Sequence, residues 1–410
     1  MRILFVSPYI PSLIRVRPYN IVRALVRRGH RVTLLALKPP GDQGEALSEL
    51  RDLCESVYVV PHGKAQTLVN ALLALPTDLP IQAAYSRSTA FAEAARTVLG
   101  RGRFDVAHVE HLRGAVLAES LGNLPVVFDS VDSISLLFGK VLQDAPSLKS
   151  RLMALLDLGR TEHFEGKLTS RFKQVAVTSE ADRAALIELG SDGDRITVVP
   201  NGVDLDYFQP QAVARDPLRL VFTGKMSYHA NIAAVEDLAH KIMPLVWAKQ
   251  PTTHLTIVGK DPSPAVLALG QQPNITVTGS VPDLRPYLAE AAVAISTVRY
   301  GVGIQNKVLE AMAMATPVVC SAQATSALTT VNGQDILVGD SPETIAAHIV
   351  DLLASPELRA RIGAAGRAYV ERHHTWRGAA GQFEGLYQAA IDERQGTPAA
   401  IVTTDSVSGK

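Results

Sequence analysis

Short apolar runs, each followed by a longer stretch of helical period, recur along this 410-residue chain, and they come in two series. The first comprises residues 3–6, 31–37, 56–60, 106–109, 126–128, 174–178 and 196–200. The second comprises 218–222, 254–258, 275–277, 292–296, 317–320 and 336–338. Strands that are apolar on both faces and separated by helices belong in parallel sheets covered on both sides. The restart after a polar, proline-containing stretch predicts two Rossmann-like, doubly wound halves rather than one large sheet. We expect a first half over residues 1–204, a hinge at 205–217, a second half over 218–375, a closing helix at 376–393 and a disordered tail at 394–410. An early helix is expected over 17–29, stopped by Gly29 as a left-handed cap.

Ligands of such sheets bind beyond the carboxyl ends of the strands, so the residues that follow each strand are the candidates. The richest segment runs Arg299-Tyr300-Gly301-Val302-Gly303-Ile304-Gln305-Asn306-Lys307, then Val308-Leu309-Glu310. A glycine-containing loop that opens a helix offers free backbone N–H groups to a diphosphate. Glu310, about one turn in, suits the vicinal hydroxyls of a ribose; the alternative is an i,i+3 pair with Lys307 on a solvated face. Gly301-x-Gly303 begins like a dinucleotide fingerprint. Asn306 replaces the third glycine, however, and no acidic residue follows at the ribose position, which disfavours a nicotinamide cofactor.

Gly224-Lys225, at the exit of the strand 218–222, places a lysine where it can neutralise a phosphate, or leaves it at a solvent-facing turn. Asn231 suits a helix cap. In the first half, Glu110 and His111 emerge beyond a strand and suit contacts to a substrate hydroxyl, whereas His108 within the run reads as structural. Six arginines fall between residues 15 and 31. Arg23, Arg27 and Arg28 read as the wet face of a helix, whereas Arg15 and Arg17 read as loop residues facing the cleft, fit for an anionic acceptor or a lipid phosphate. The cluster also suits an anionic membrane surface. The acidic pairs Asp192/Asp194 and Asp204/Asp206 lack histidine or carboxylate partners, so no metal site is expected.

Composition narrows the classes. Forty basic residues balance forty acidic ones and aromatics are 5%, which argues against a nucleic-acid binder. Cys54 and Cys320 form no framework, and the first apolar run is too short for a signal peptide. A cytoplasmic protein, possible at the inner face of the plasma membrane, is the expectation.

The motifs also carry a resemblance. Val199-Pro200-Asn201-Gly202-Val203-Asp204 with Phe208, Phe222-Thr223-Gly224-Lys225, and Lys307-Val308-Leu309-Glu310-Ala311-Met312-Ala313 before Thr316-Pro317-Val318-Val319 resemble the motifs of retaining GT-B glycosyltransferases of family four. Trp376, Phe383 and Tyr387 are similar to that fold's closing helix. The wording 303–307 is similar to a bacterial subgroup associated with exopolysaccharide and exosortase clusters. The resemblance implies a GT-B fold and a retaining, metal-independent hexosyltransferase of polysaccharide or glycolipid synthesis. Its donor would be a UDP- or GDP-sugar, its acceptor a glycan, lipid-linked or small molecule, with no cofactor besides the donor. It implies donor contacts from Gly224, Lys225, Asn231, Gly303, Ile304, Gln305, Lys307 and Glu310, catalytic contacts from Glu110, His111 and Lys225, and acceptor contacts from Arg15 and Arg17. Three departures stand out. Val302 occupies the place of a usual glutamate, and Asn231 that of a second basic residue, for which Lys307 or Arg299 would compensate. Leu13 to Arg17 replaces a common Gly-Gly pair. A sugar-nucleotide 2-epimerase and a non-catalytic nucleotide-sugar scaffold are the alternatives.

Overall fold

The computed structural model describes all residues except 14, 43, 45, 145–147, 300–302 and 397–410. Two parallel sheets form, each doubly wound. The first contains β1 (Arg2–Ser7), β2 (Arg31–Lys38), β3 (Ser56–Pro61), β4 (Val106–Glu110), β5 (Val126–Val131), β6 (Gln174–Val177) and β7 (Ile196–Val198), in the order β3-β2-β1-β4-β5-β6-β7. The second contains β8 (Asp216–Thr223), β9 (His254–Val258), β10 (Ile275–Val277), β11 (Ala291–Ser296), β12 (Val318–Ser321) and β13 (Leu337–Gly339), in the order β10-β9-β8-β11-β12-β13. The expected strands appear within three residues at either end.

Alternation explains why the runs are apolar throughout. Leu4 and Val6 enter the core on one face of the first sheet, whereas Ile3 and Phe5 enter the core on the other. Both faces are covered by helices, so apolar residues dominate on each. The second half has its own core around Leu220, Phe222, Ile257, Val293 and Val319.

The helix Trp376–Gly396 lies on the first sheet although it follows the second in sequence. Phe383 and Tyr387 are fully buried there, each contributing roughly 1.5–3 kcal/mol of burial. Its helical residues run three past the expected end at 393; the rest of the expected tail lies outside the described residues. Two chain crossings join the halves side by side: Val203 N–H donates to His374 O at 2.9 Å, and His374 Nδ1 meets Asn201 O at 2.8 Å. Gly202 is required there, because a Cβ would stand 2.4 Å from the Trp376 nitrogen.

Each sheet reverses its strand order once, between β1 and β4 and between β8 and β11. The crevices at those reversals open past Ser7 and Glu110 in one half and past Thr223 and Ser296 in the other.

Candidate active site

At the second crevice the backbone turns sharply. Gly224 has φ +154°, and a Cβ there would stand 2.8 Å from the Asn231 amide nitrogen and 3.2 Å from Lys307 Nζ. Asn231 sits in the first turn of the helix His229–Asp237 and is not its cap, which is Tyr228. Its buried amide instead donates to Lys225 O at 2.9 Å and accepts from Lys307. Lys307 Nζ also lies 4.5 Å from the centre of the Phe222 ring. Burial lowers the Lys307 pKa to about 7, against the opposing charge of Glu310. Lys307 is therefore the ammonium at the glycine turn. Lys225, next to the turn, has a side chain that is 53% exposed and 4.0 Å from Asp261. Arg299 pairs with Asp237 and does not reach Asn231.

The loop before the helix Asn306–Ala313 supplies the other wall. Gly303 has φ +71° and faces Asp132 of the first half, whose Oδ1 a Cβ on Gly303 would approach to 2.3 Å. Ile304 is buried in the core, so it presents only backbone, and Gln305 is the N-cap residue without a side-chain cap bond. Val302 lies outside the described residues. The Glu310 carboxyl makes no hydrogen bond or ion pair among the described residues, so the alternative pairing with Lys307 is not formed. Burial raises its pKa to about 7. Glu310 and Asn306 line a cavity of about 530 Å³, together with Tyr207, Phe208 and Leu284 and, from the first half, Tyr19.

At the first crevice Glu110 is buried. Ser7 Oγ donates to it at 3.1 Å and Tyr9 OH at 2.9 Å. Burial and the charge of Asp129 raise its pKa to about 8, outweighing those hydrogen bonds and Arg17, so the carboxyl is mostly protonated at neutral pH. His111 has φ +67°, and its Nδ1 accepts from Arg113 N–H at 3.1 Å, which leaves the proton on Nε2. Burial and Arg113 pull its pKa down to about 3, so the imidazole is neutral. His108 is structural, stacked on Phe5 at 4.3 Å and bonded through Nδ1 to Tyr387 OH at 2.8 Å.

The arginine cluster reads differently in three dimensions. Arg17 is in the first turn of the helix Val16–Arg27 and is buried. Its Nε and Nη2 grip the Asp129 carboxylate at 2.8 and 2.9 Å, and Nη1 donates to Val199 O and Asn201 Oδ1. Four of its five N–H donors are engaged inside the protein, and the group holds the end of β5 against the interdomain crossing. Arg15 stays at the cleft, over the Tyr9 ring at 4.1 Å and 3.0 Å from Asp42. Arg23, Arg27, Arg28 and Arg31 pair with Asp204, Asp206, Glu384 and Glu55. All six charges thus face carboxylates.

Asp129, Asp132, Tyr9 and Thr178, whose Oγ1 donates to Asp132 at 2.9 Å, were missed by sequence reasoning. Asp129-Ser130-Val131-Asp132 directly ends a strand beside the reversal, and that position was the available signal.

Residues 14–202 match the family described as Glycosyl transferase 4-like domain, and residues 217–355 match Glycosyl transferases group 1. A D-inositol 3-phosphate glycosyltransferase of Segniliparus rotundus is 28% identical over 255 residues, covering 55% of this chain and only 54% of that protein's length. One of the same name from Xylanimonas cellulosilytica is 28% identical over 409 residues, covering 92% of this chain and 91% of that protein. Among solved structures, Anabaena HepE in complex with UDP and glucose shares the fold with a TM-score of 0.65 at 15% identity, over 95% of this chain and 100% of that one.

Proposed function

The chain is a GT-B glycosyltransferase with a 4-like half and a group 1 half, and from that premise we propose that it moves a hexosyl group from a nucleoside-diphosphate sugar to an acceptor hydroxyl with retention at the anomeric carbon. The observation that carries the reading is the approach of Lys307 Nζ and the Asn231 amide to the bare backbone of Gly224. An anion drawn to that turn meets an ammonium already stripped of water, where a charge interaction is worth more than at the surface.

In this reading the diphosphate lies between Gly224, Lys307 and the amides that open the helix Asn306–Ala313. The nucleoside lies in the cavity beside Glu310, whose unengaged carboxylate accepts from ribose hydroxyls. The C1–oxygen bond to the diphosphate breaks, the acceptor oxygen bonds C1 on the same face, and the acceptor proton leaves with the departing phosphate. Protonated Glu110 and the Nε2–H of His111 are donors on the first-half side and orient sugar hydroxyls. A UDP- or GDP-sugar is the proposed donor. UDP is the first choice to test, since the HepE structure holds UDP.

The test is a calorimetric titration of UDP, GDP, ADP and dTDP into wild type, Lys307→Met and Glu310→Ala, with the product anomer read by NMR. Tight binding of one diphosphate, weakened in both variants, supports the placement. Unchanged binding in both refutes it, and an inverted anomer refutes retention while sparing the fold.

A further inference from the structure

The helix Lys64–Ala74 is inside out. Its polar residues face the protein: Asn70 Nδ2 donates to Arg87 O at 2.8 Å, and Gln66 Nε2 donates to the same carbonyl at 3.3 Å. Its apolar residues face solvent, with Leu68, Val69, Leu72 and Leu73 all exposed, the last by 63%. A helix stable in water alone shows the opposite arrangement. A second helix repeats the anomaly. In Leu148–Gly166, Leu152, Met153, Leu155 and Leu156 are exposed, Leu155 by 65%.

One side chain brings the two surfaces together. Arg160 donates from Nη1 to Leu156 O, from Nη2 to Leu75 O at 2.7 Å and from Nε to Thr77 O at 3.0 Å. The exposed Leu75 at the end of one helix therefore sits beside the exposed Leu156 of the other, and the leucines form one surface. Patches of that kind mark an interaction site.

The charges around the surface indicate its partner. Over residues 64–87 and the helix 148–166 the basic groups are Lys64, Arg87, Lys149, Arg151 and Arg160. The acidic ones are Asp78, Asp157, Glu162 and Glu165; of these Asp157, accepting from Ile81 N–H and Gln82 N–H, and Glu165 are buried. The whole chain is charge-balanced, so this excess is local. A twofold pairing of the surface with itself would set those cations against each other. Leucines ringed by lysine and arginine suit the headgroup–acyl boundary of an anionic bilayer.

We propose that the leucine faces of the helices Lys64–Ala74 and Leu148–Gly166 dock this protein on a membrane rich in anionic lipid. The inner edge of the surface leads to the cleft: Arg113 Nη2 donates to Gln82 Oε1 at 3.3 Å, two residues beyond His111. A docked bilayer would present headgroups on the side of Glu110 and His111. The docking itself stands independently of the donor reading.

The experiment is vesicle flotation of the full chain with phosphatidylcholine alone and with equimolar phosphatidylcholine and phosphatidylglycerol, with light scattering for oligomeric state. Wild type is expected to float with the anionic vesicles, less so in high salt. The combined variant Leu72→Gln, Leu73→Gln, Leu155→Gln, Leu156→Gln should lose binding by more than ~10-fold at an unchanged melting temperature. If it does not fold, Leu73→Gln with Leu155→Gln replaces it. Wild type that never floats, a variant that floats equally, or a wild-type dimer that the variant converts to monomer would each overturn the proposal, the last by identifying a second copy as the partner.

Discussion

Gly303 rests on Asp132: a Cβ added to the glycine would stand 2.3 Å from Oδ1 of the aspartate, across the boundary between the two halves. Asp132 does not have freedom to retreat, since Thr178 Oγ1 holds the same oxygen at 2.9 Å. Gly303→Ala also strains a backbone at φ +71°. Both effects push the glycine loop away from the first half. Displacements of ~1 Å cost ~100-fold in rate at a positioned site. We expect Gly303→Ala to lower kcat by roughly that factor, with the melting temperature reduced by only a few degrees, and steady-state kinetics beside a thermal melt measures both.

Lys307 and Lys225 are separable by substitution. Lys307 is desolvated beside Gly224, whereas Lys225 is solvated and near Asp261. A charge in the first environment is screened far less than one in the second. Lys307→Met should weaken nucleoside-diphosphate binding by about 10- to 100-fold, and Lys225→Met by less than about 5-fold. Because the unliganded Lys307 pKa lies near 7, binding of the diphosphate at pH 8 should draw a proton from the buffer. Titration in buffers of different ionisation enthalpy measures that uptake, which Lys307→Met should abolish.

Arg17 and Asp129 form a pair whose loss reads in stability before it reads in binding. Burial alone would raise the Asp129 pKa, but the charge and hydrogen bonds of Arg17, with His108 adding to them, bring it down to about 2. Arg17→Met leaves a buried carboxylate unpaired, at a cost of about 3–5 kcal/mol. Arg17→Met with Asp129→Asn removes both charges and should recover part of that loss. Denaturant unfolding of the single and double variants checks the order. A single variant as stable as wild type would return Arg17 to the acceptor role.

What sequence reading could and could not reach follows from the range of each interaction. The strands were legible because both faces of most are buried, which favours a run of apolar residues over an alternating pattern. The glycine turn at Gly224 and the helix carrying Lys307 and Glu310 were legible because each is a local motif. The role of Arg17 was not. Arg17 lies in a run of arginines, and nothing near it in sequence tells that Asp129 at the end of β5 meets it. The grouping of Asn231 with Lys307, 76 positions apart, needed the fold of β8 against β11 before it existed. The outward leucines of Lys64–Ala74 were also hidden, since an amphipathic pattern does not say which face turns inward.

Glu110 offers a prediction with a sign. Its folded pKa is raised from the ordinary 4.5 of a glutamate to about 8 by burial and Asp129. The folded state therefore holds a proton there that the unfolded chain releases between those values. The stability from that proton is full below about pH 4.5 and is lost as pH rises through about 8. Glutamine imitates the protonated carboxyl without being able to ionise. Glu110→Gln should melt close to wild type at pH 5, and at pH 9 should melt ~3–5 °C above it. Thermal melts of both proteins across that range make the comparison. A gap that stays constant with pH would mean that Glu110 is ionised throughout, and that the first-half side of the cleft presents an acceptor where a donor is argued here.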